Sequence, residues 1–286
     1  MNILVLGGTR YFGVHMVRQL LKDGHQITIA TRGNAKDGFS EAVSRLTVER
    51  TDPESLKTAF ANLHYDVICD NLAYCSNDIK YILDIADCDR YVMTSSTAVY
   101  KNHLNTVEED FDPLKNSFQW CSRKDHPYAE AKRQAECAVF QQYPTQKAVA
   151  ARFPFIIGED DYTKRLFFYV EHTIKGIPMF IDNPNEQMGF VRSDEAGNFL
   201  ALLAEQDYVG CINGCSSGSV SVAEIIAYIE GQTGKKAVYS QDGDVAPYNG
   251  VKEYSINTAR ARNLGFQFTP LHQWIYQLLD TYIQLS

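Results

Sequence analysis

The 286-residue chain has no apolar run long enough to cross a bilayer. Its first residues enter a short apolar segment directly, with no charged region and long apolar stretch before it, so no secretory leader is expected. Cysteine forms no framework. The seven cysteines, at 69, 75, 88, 121, 137, 211 and 215, are odd in number and scattered, and Cys211-x3-Cys215 has no second ligand pair. Reduced thiols in the cytoplasm are the expectation. Positive charge is in deficit: 27 Lys and Arg against 35 Asp and Glu give a net charge of −8, which argues against RNA or DNA as the main partner. The histidines show no metal-ligand spacing, so no metal is expected. Internal repeats and low-complexity segments are lacking too. The remainder, 45% hydrophobic and 22% charged, fits a globular protein with a large core.

The most informative stretch is the first. Met1 to Leu6 is apolar, Gly7-Gly8-Thr9-Arg10-Tyr11-Phe12-Gly13 is a turn, and Val14 to Asp23 is amphipathic, with Val14, Val17 and Leu21 at helical spacing. Gly24 stops that helix, and Gln26 to Ala30 is a second strand. Strand, glycine turn, helix and strand make the βαβ unit that holds a dinucleotide pyrophosphate. The glycines let backbone approach phosphate, and the helix N-terminus offers unpaired N–H donors.

Strands and helices go on alternating. A loop over 33–40 precedes a third strand at 46–49. Asp52 and Pro53 have the chemistry of a helix cap and first helical position, opening a helix to about Leu63. Strands at 66–70, 91–94 and 148–153 are separated by helices over about 77–86 and 127–142. Such alternation predicts an α/β fold, a doubly wound parallel sheet of Rossmann type. Beyond Pro154 the pattern loosens into helices over 162–175, 194–205, 221–232 and 271–285, with short strands at 211–213 and 236–240. Residues 1–158 with about 186–214 are read as the dinucleotide-binding domain, and 159–185 with 215–286 as a smaller substrate lobe.

Tyr128-Ala129-Glu130-Ala131-Lys132 places a phenol and an ammonium four apart on one helical face, so both can address one site. A free tyrosine, with a pKa of about 10, is a poor base at neutral pH. A neighbouring lysine favours its phenolate. The hydroxyl run Ser95-Ser96-Thr97 at a strand end supplies a third member, with Ser96 the choice and its neighbours as strand terminators.

Together these stretches resemble the extended short-chain dehydrogenase/reductase superfamily, the NAD-dependent epimerase/dehydratases. Further resemblance lies in Asp52, in Thr94 through Tyr100, in Arg152-Phe153-Pro154 through Gly158, and in the late segment Tyr254 to Phe266. The resemblance implies that Tyr128 is the general base or acid, that Lys132 binds the nicotinamide ribose, and that Ser96 polarises the reacting carbonyl. It further implies cofactor contacts from the turn residues Gly7, Gly8, Thr9, Arg10, Tyr11, Phe12 and Gly13, from Asp52 at the adenine, from Leu72, Ala73 and Thr94 at strand ends, and from Phe153, Pro154 and Phe155 beside the nicotinamide. Relatives often dimerise through two helices, here those at 77–86 and 127–142.

The departures shape the functional reading. Many NAD-using relatives carry an acid after the second strand to hold the ribose 2′-hydroxyl; Thr31 and Arg32 stand here. Arg10 and Arg32 could bracket a 2′-phosphate, so NADP is favoured over NAD. Sugar dehydratases of the family place Asp-Glu after the catalytic hydroxyl, where this chain has Thr97-Ala98, so elimination lacks its proton donor and acceptor. The diphosphate-clamping arginine of nucleotide-sugar epimerases is replaced near Gln187, with Arg165 and Arg192 as substitutes. An NAD(P)-dependent nucleotide-sugar epimerase or carbonyl reductase follows. The Gly-Gly-Thr-Arg turn is also similar to an atypical branch that includes chloroplast stem-loop RNA-binding proteins, which leaves an RNA- or partner-binding protein on the same scaffold as the alternative.

Overall fold

The computed structural model describes residues 1–34 and 37–286. The chain divides into two compact units: residues 1–101, 108–154 and 194–214 form the first, and 102–107, 155–193 and 215–286 the second.

The first unit opens with β1 (Asn2–Leu6), α1 (Phe12–Lys22) and β2 (Gln26–Thr31). The loop expected over 33–40 follows, its residues 35 and 36 lying outside the described residues. Next come β3 (Ser44–Thr47), α2 (Pro53–Phe60), β4 (His64–Asp70), α3 (Ser76–Leu83), β5 (Asp87–Ser96), α4 (Tyr128–Cys137) and β6 (Lys147–Phe153). Asp52 caps α2 by accepting from the Glu54 amide at 3.0 Å, with Pro53 at the first helical position. The long helix expected over 127–142 is α-helical only to Cys137; Ala138–Gln142 continues it as a π-helix.

The second unit contributes β7 (Phe155–Ile157), α5 (Arg165–Lys175), β8 (Met179–Phe180) and β9 (Phe190–Arg192). The chain returns to the first unit through α6 (Ser193–Glu205) and β10 (Gly210–Asn213). It ends in the second with α7 (Val222–Thr233), β11 (Asp244–Val245), α8 (Ala259–Asn263) and α9 (Ile275–Gln284).

Seven strands of the first unit form one parallel sheet in the order β10-β6-β5-β4-β1-β2-β3. This is the doubly wound arrangement expected. The central strands are apolar almost throughout because both faces are covered. Leu4, Leu6, Ile68, Tyr91 and Met93 pack with Leu56 and Phe60 of α2, Ile79 and Ile82 of α3 and Ala135 of α4. On α6, a Cβ at Gly197 would meet the Phe12 carbonyl oxygen at 2.5 Å and the Met16 amide at 2.7 Å, so α6 lies directly against α1.

In the second unit, Leu166, Tyr169 and Val170 of α5 pack with Ile225 and Ile229 of α7 and Ile275, Leu279 and Tyr282 of α9. The strand expected at 236–240 does not form. Tyr239 makes a single bridge to Met179, and the residues that pair with β8 are Asp244 and Val245. Gly243 decides this: a Cβ there would lie 2.8 Å from the Pro178 and Met179 backbone, an approach only glycine allows.

Candidate active site

The turn after β1 leaves no room for a side chain at Gly7, Gly8 or Gly13. Gly7 has φ +83°, and a Cβ on Gly13 would sit 2.3 Å from the Gly7 carbonyl oxygen. The first turn of α1 carries no acidic residue, and its cap, Tyr11 at φ 57°, makes no side-chain cap bond. No carboxylate of the helix's own first turn therefore offsets its positive end, which fits a pyrophosphate. Thr9 and Tyr11 are buried, Phe12 packs edge-on to Tyr11 at 5.5 Å, and Arg10 is exposed.

Beside this turn, β4 and β5 end in polar residues. The Asn71 amide donates to the Leu6 carbonyl at 3.0 Å, which ties the end of β4 to the end of β1. Thr94 donates its hydroxyl to the Asn71 side-chain oxygen at 2.8 Å. Lys132, on the second turn of α4, is buried. Its ammonium donates to the Ala73 carbonyl at 2.7 Å and the Thr94 carbonyl at 2.8 Å, so one cation joins α4 to the ends of both strands. Burial pushes its pKa down to about 8, against the pull of Asp70 and Glu136. Tyr128 stands one turn earlier, 52% exposed, with its ring centroid 6.0 Å from the Lys132 nitrogen. Tyr128, Lys132, Ala73 and Thr94 are thus assembled in one place.

Ser95 and Ser96 point to opposite sides of β5. Ser95 is buried and donates to the Glu136 carboxylate. Ser96, partly exposed, lies on the Thr94 side, and its oxygen accepts from the Ala98 amide at 3.2 Å, capping the short turn that follows.

Several residues of this region were given no role by the sequence. Asp70, fully buried at the end of β4, accepts from both Arg50 terminal nitrogens at 2.6 and 2.8 Å and from the Tyr91 hydroxyl at 2.8 Å. Asp78 of α3 accepts from the Tyr74 amide at 2.8 Å and Arg123 at 3.0 Å, with Arg50 at 3.5 Å. Burial opposes its ionisation, but the Arg50 and Arg123 guanidiniums outweigh that and lower its pKa. Behind α4, Glu136 and Arg152 are a fully buried ion pair. Arg152 also donates to the Tyr100 hydroxyl and the carbonyls of Glu108 and Phe111 at 2.8–3.0 Å. The only signal for these pairs is an acid or base in an otherwise apolar run; the partner, 16 to 20 residues away, is set by the fold.

The other candidate residues lie as follows. Thr31 ends β2 and accepts from the Gly33 amide at 3.2 Å, and Arg32 is exposed. Asp37 is taken up by Arg45 at 2.7 and 2.8 Å. Asp52 is exposed in its capping role, and Gly8 is packed between Val5 and Val17. Leu72 is partly buried and gives its carbonyl to Arg123 at 2.9 Å. Phe153 is buried against Phe199 at 6.2 Å, Pro154 follows it partly exposed, and Phe155 belongs to the second unit, 4.7 Å from Tyr248. His126 has a buried Nε2 with no partner among the described residues. Among those residues one His/Asp group, His64, Asp66 and Asp89, brings possible ligand atoms within 4.8 Å. It lies at the N-terminal ends of β4 and β5, away from the Lys132 end, and His64 is already paired with Asp87 at 3.0 Å. All seven cysteines are free thiols, and no described helix is long and apolar enough to cross a membrane.

Residues 3–87 match the model of the NAD dependent epimerase/dehydratase family. A 125-residue stretch is 30% identical to chloroplast stem-loop binding protein of 41 kDa b from Arabidopsis thaliana, covering 38% of this chain and 33% of that protein. A 97-residue stretch is 31% identical to 2'-dehydrokanamycin reductase of Streptomyces kanamyceticus, covering 34% of this chain and 28% of that protein. The chain thus spans about a third of the length of the curated relatives it matches. The fold is similar to that of UDP-glucose 4-epimerase from Thermus thermophilus, solved in complex with NAD, with a TM-score of 0.74, 16% identity and 99% of each chain covered.

Proposed function

We propose that this chain, whose residues 3–87 match the model of the NAD dependent epimerase/dehydratase family, is an enzyme that uses a nicotinamide dinucleotide to epimerise a nucleotide sugar or to reduce a carbonyl. The observation that carries this reading is the buried Lys132 ammonium, held at the ends of β4 and β5 with Tyr128 one turn away, beside a turn with no room for a side chain at Gly7, Gly8 or Gly13. The turn residues Gly7 to Gly13 would hold the pyrophosphate and Lys132 the nicotinamide ribose. When bound, the dinucleotide supplies a two-electron hydride acceptor and donor.

The chain's own part is proton transfer. With a pKa of about 8, Lys132 is mostly cationic at neutral pH. The Lys132 ammonium, 6.0 Å from the centre of the Tyr128 ring, favours the phenolate by charge proximity. Tyr128 then takes the proton of a substrate hydroxyl as the carbon is oxidised, or returns it on reduction, and Ser96 donates a hydrogen bond to the same oxygen.

NADP is the proposed form, supported by Thr31 and exposed Arg32 after β2 and by the engagement of Asp37 with Arg45. The NAD complex of the Thermus epimerase supports NAD as the other form. Seven free thiols support a reducing, cytoplasmic setting. A homodimer through α3 and α4 belongs to the proposal, and sedimentation showing only monomer removes it.

The test is a screen of UDP- and GDP-sugars and small carbonyls with each cofactor, alongside titration of NAD and NADP. Turnover lost in Tyr128→Phe and Lys132→Met supports the reading. Equal affinity for both cofactors, with no loss for NADP in Arg32→Ala, ends the NADP part. A second reading, RNA binding on the same scaffold, is favoured by the stretch shared with the stem-loop binding protein and opposed by the net charge of −8. Salt-sensitive retention of RNA without turnover of any substrate would favour it.

A further inference from the structure

Tyr128 sits on the first turn of α4, half in solvent, behind a Pro127 cap that makes no side-chain bond. A base in that position needs something to hold it, since small displacements of a catalytic group are costly. The ring that meets it is Tyr74, edge-on at 6.4 Å and 62°. Tyr74 comes directly after Ala73, whose carbonyl takes Lys132, and its ring centroid lies 4.8 Å from the Lys132 nitrogen. It is itself pinned. The Arg123 guanidinium lies 4.3 Å from the same ring, held by bonds to Asp78 at 3.0 Å and the Leu72 carbonyl at 2.9 Å, and the Tyr74 amide donates to Asp78.

We infer that Tyr74, clamped by Arg123, is a positioning residue for Tyr128: its ring fixes the phenol and shields the space between that phenol and the Lys132 ammonium. The inference rests on the proposed catalytic role of Tyr128. The charged groups around this cluster are Lys132 on α4, Arg123 from the loop before it, Asp78 from α3, and Arg50 and Asp70 at the strand ends, with Glu130 and Glu136 of α4 offset by Arg133 and Arg152. Arg50, Arg123 and Lys132 face Asp70 and Asp78, so this inner set has one positive charge in surplus. That surplus acts on Tyr128 only while water is kept from screening it. Every contact named is made by the Tyr74 ring or backbone, so Tyr74→Phe keeps each of them.

The test follows tyrosinate absorbance during a pH titration of the full chain and isolates the step that Tyr128→Phe removes, so it needs no substrate. In Tyr74→Leu this step is expected at least half a pH unit higher, and Tyr74→Phe restores it to the wild-type position. Arg123→Ala, at a partly exposed side chain, should move it in the same direction by less, and serves where Tyr74→Leu fails to fold. Where a substrate has been found, kcat of Tyr74→Leu falls about tenfold at neutral pH with KM and cofactor affinity within twofold, and the acidic limb of the rate profile moves up with the titration. A step that stays put in Tyr74→Leu and Arg123→Ala, or shifts equally in Tyr74→Phe, overturns the inference. Failure to find any turnover bears on the proposed reaction alone.

Discussion

Glu136 and Arg152 offer the sharpest test of what holds the site in place. Both are fully buried. The Glu136 carboxylate accepts from the Arg152 Nε at 3.0 and 3.2 Å, from its Nη2 at 2.5 Å, from the Ser95 hydroxyl, and from the Cys211 thiol at 3.6 Å. In Glu136→Gln a side-chain amide turns N–H groups toward donors and leaves a guanidinium charge without a counter-ion. Breaking one member of such a pair costs about 3–5 kcal/mol, a large part of the roughly 5–15 kcal/mol that holds a typical domain. Arg152→Met should cost a similar amount for the opposite reason. Replacing both, by Glu136→Leu with Arg152→Met, removes the charges together; it leaves the Tyr100 oxygen and two carbonyls without the Arg152 donor and the Ser95 hydroxyl without the Glu136 acceptor, about 1 kcal/mol each. The double variant is therefore expected to lose about 4 kcal/mol, short of the sum of the singles. The two tryptophans allow a clean assay: Trp120 lies in the first unit and Trp274 in the second. Urea titration of Trp120 fluorescence in a Trp274→Phe background then reads the first unit alone, without assuming that the chain unfolds in one step. Single variants that cost under about 1 kcal/mol, or a double variant as damaged as the sum, would refute the reasoning.

Three further outcomes are expected. Burial lowers the Lys132 pKa from 10.5 to about 8, so between those values this group binds fewer protons in the folded chain than in the unfolded one, and its contribution to stability rises with pH across that window. Buried cysteines, their thiols pushed up by burial, act in the opposite sense, so the rise, on the order of 3 kcal/mol, is read as the pH dependence of the stability difference between wild type and Lys132→Met; a difference that stays flat across the window contradicts this. Gly13→Ala drives a methyl to 2.3 Å from the Gly7 carbonyl and should weaken dinucleotide binding on the order of 100-fold, measured by calorimetry and contradicted by an unchanged affinity. The Tyr248 hydroxyl is buried with no partner among the described residues, so Tyr248→Phe should raise stability, by about 1 kcal/mol; a lower melting temperature would show that the hydroxyl is satisfied.

The sheet was legible because parallel strands covered on both faces leave unbroken apolar runs such as Ile3 to Leu6 and Val67 to Cys69, each followed by turn chemistry. Tyr128 and Lys132 were legible because both lie on one helix, where spacing fixes the face they share. Pairs joined through space were not. Nothing near Arg50 points to Asp70, and nothing near Glu136 points to Arg152, because strand order decides which ends become neighbours. Tyr74 was missed for a similar reason, since its importance comes from Arg123 and Lys132, residues 49 and 58 positions away by sequence number. The short strands Phe155–Ile157 and Phe190–Arg192 are too brief for any periodicity to show, and a two-residue pairing at Asp244–Val245 was misplaced to 236–240.

The anchor behind α4 has one more effect. Arg152 grips the stretch from 108 to 111 through main-chain oxygens of Glu108 and Phe111, groups that every amino acid carries. The side chains of Glu108 and Phe111 are buried, so it is at the exposed Glu109 and Asp110 that substitutions can change the surface chemistry while the path stays put. Those two positions can therefore diversify without loosening the anchor behind the helix that presents the phenol.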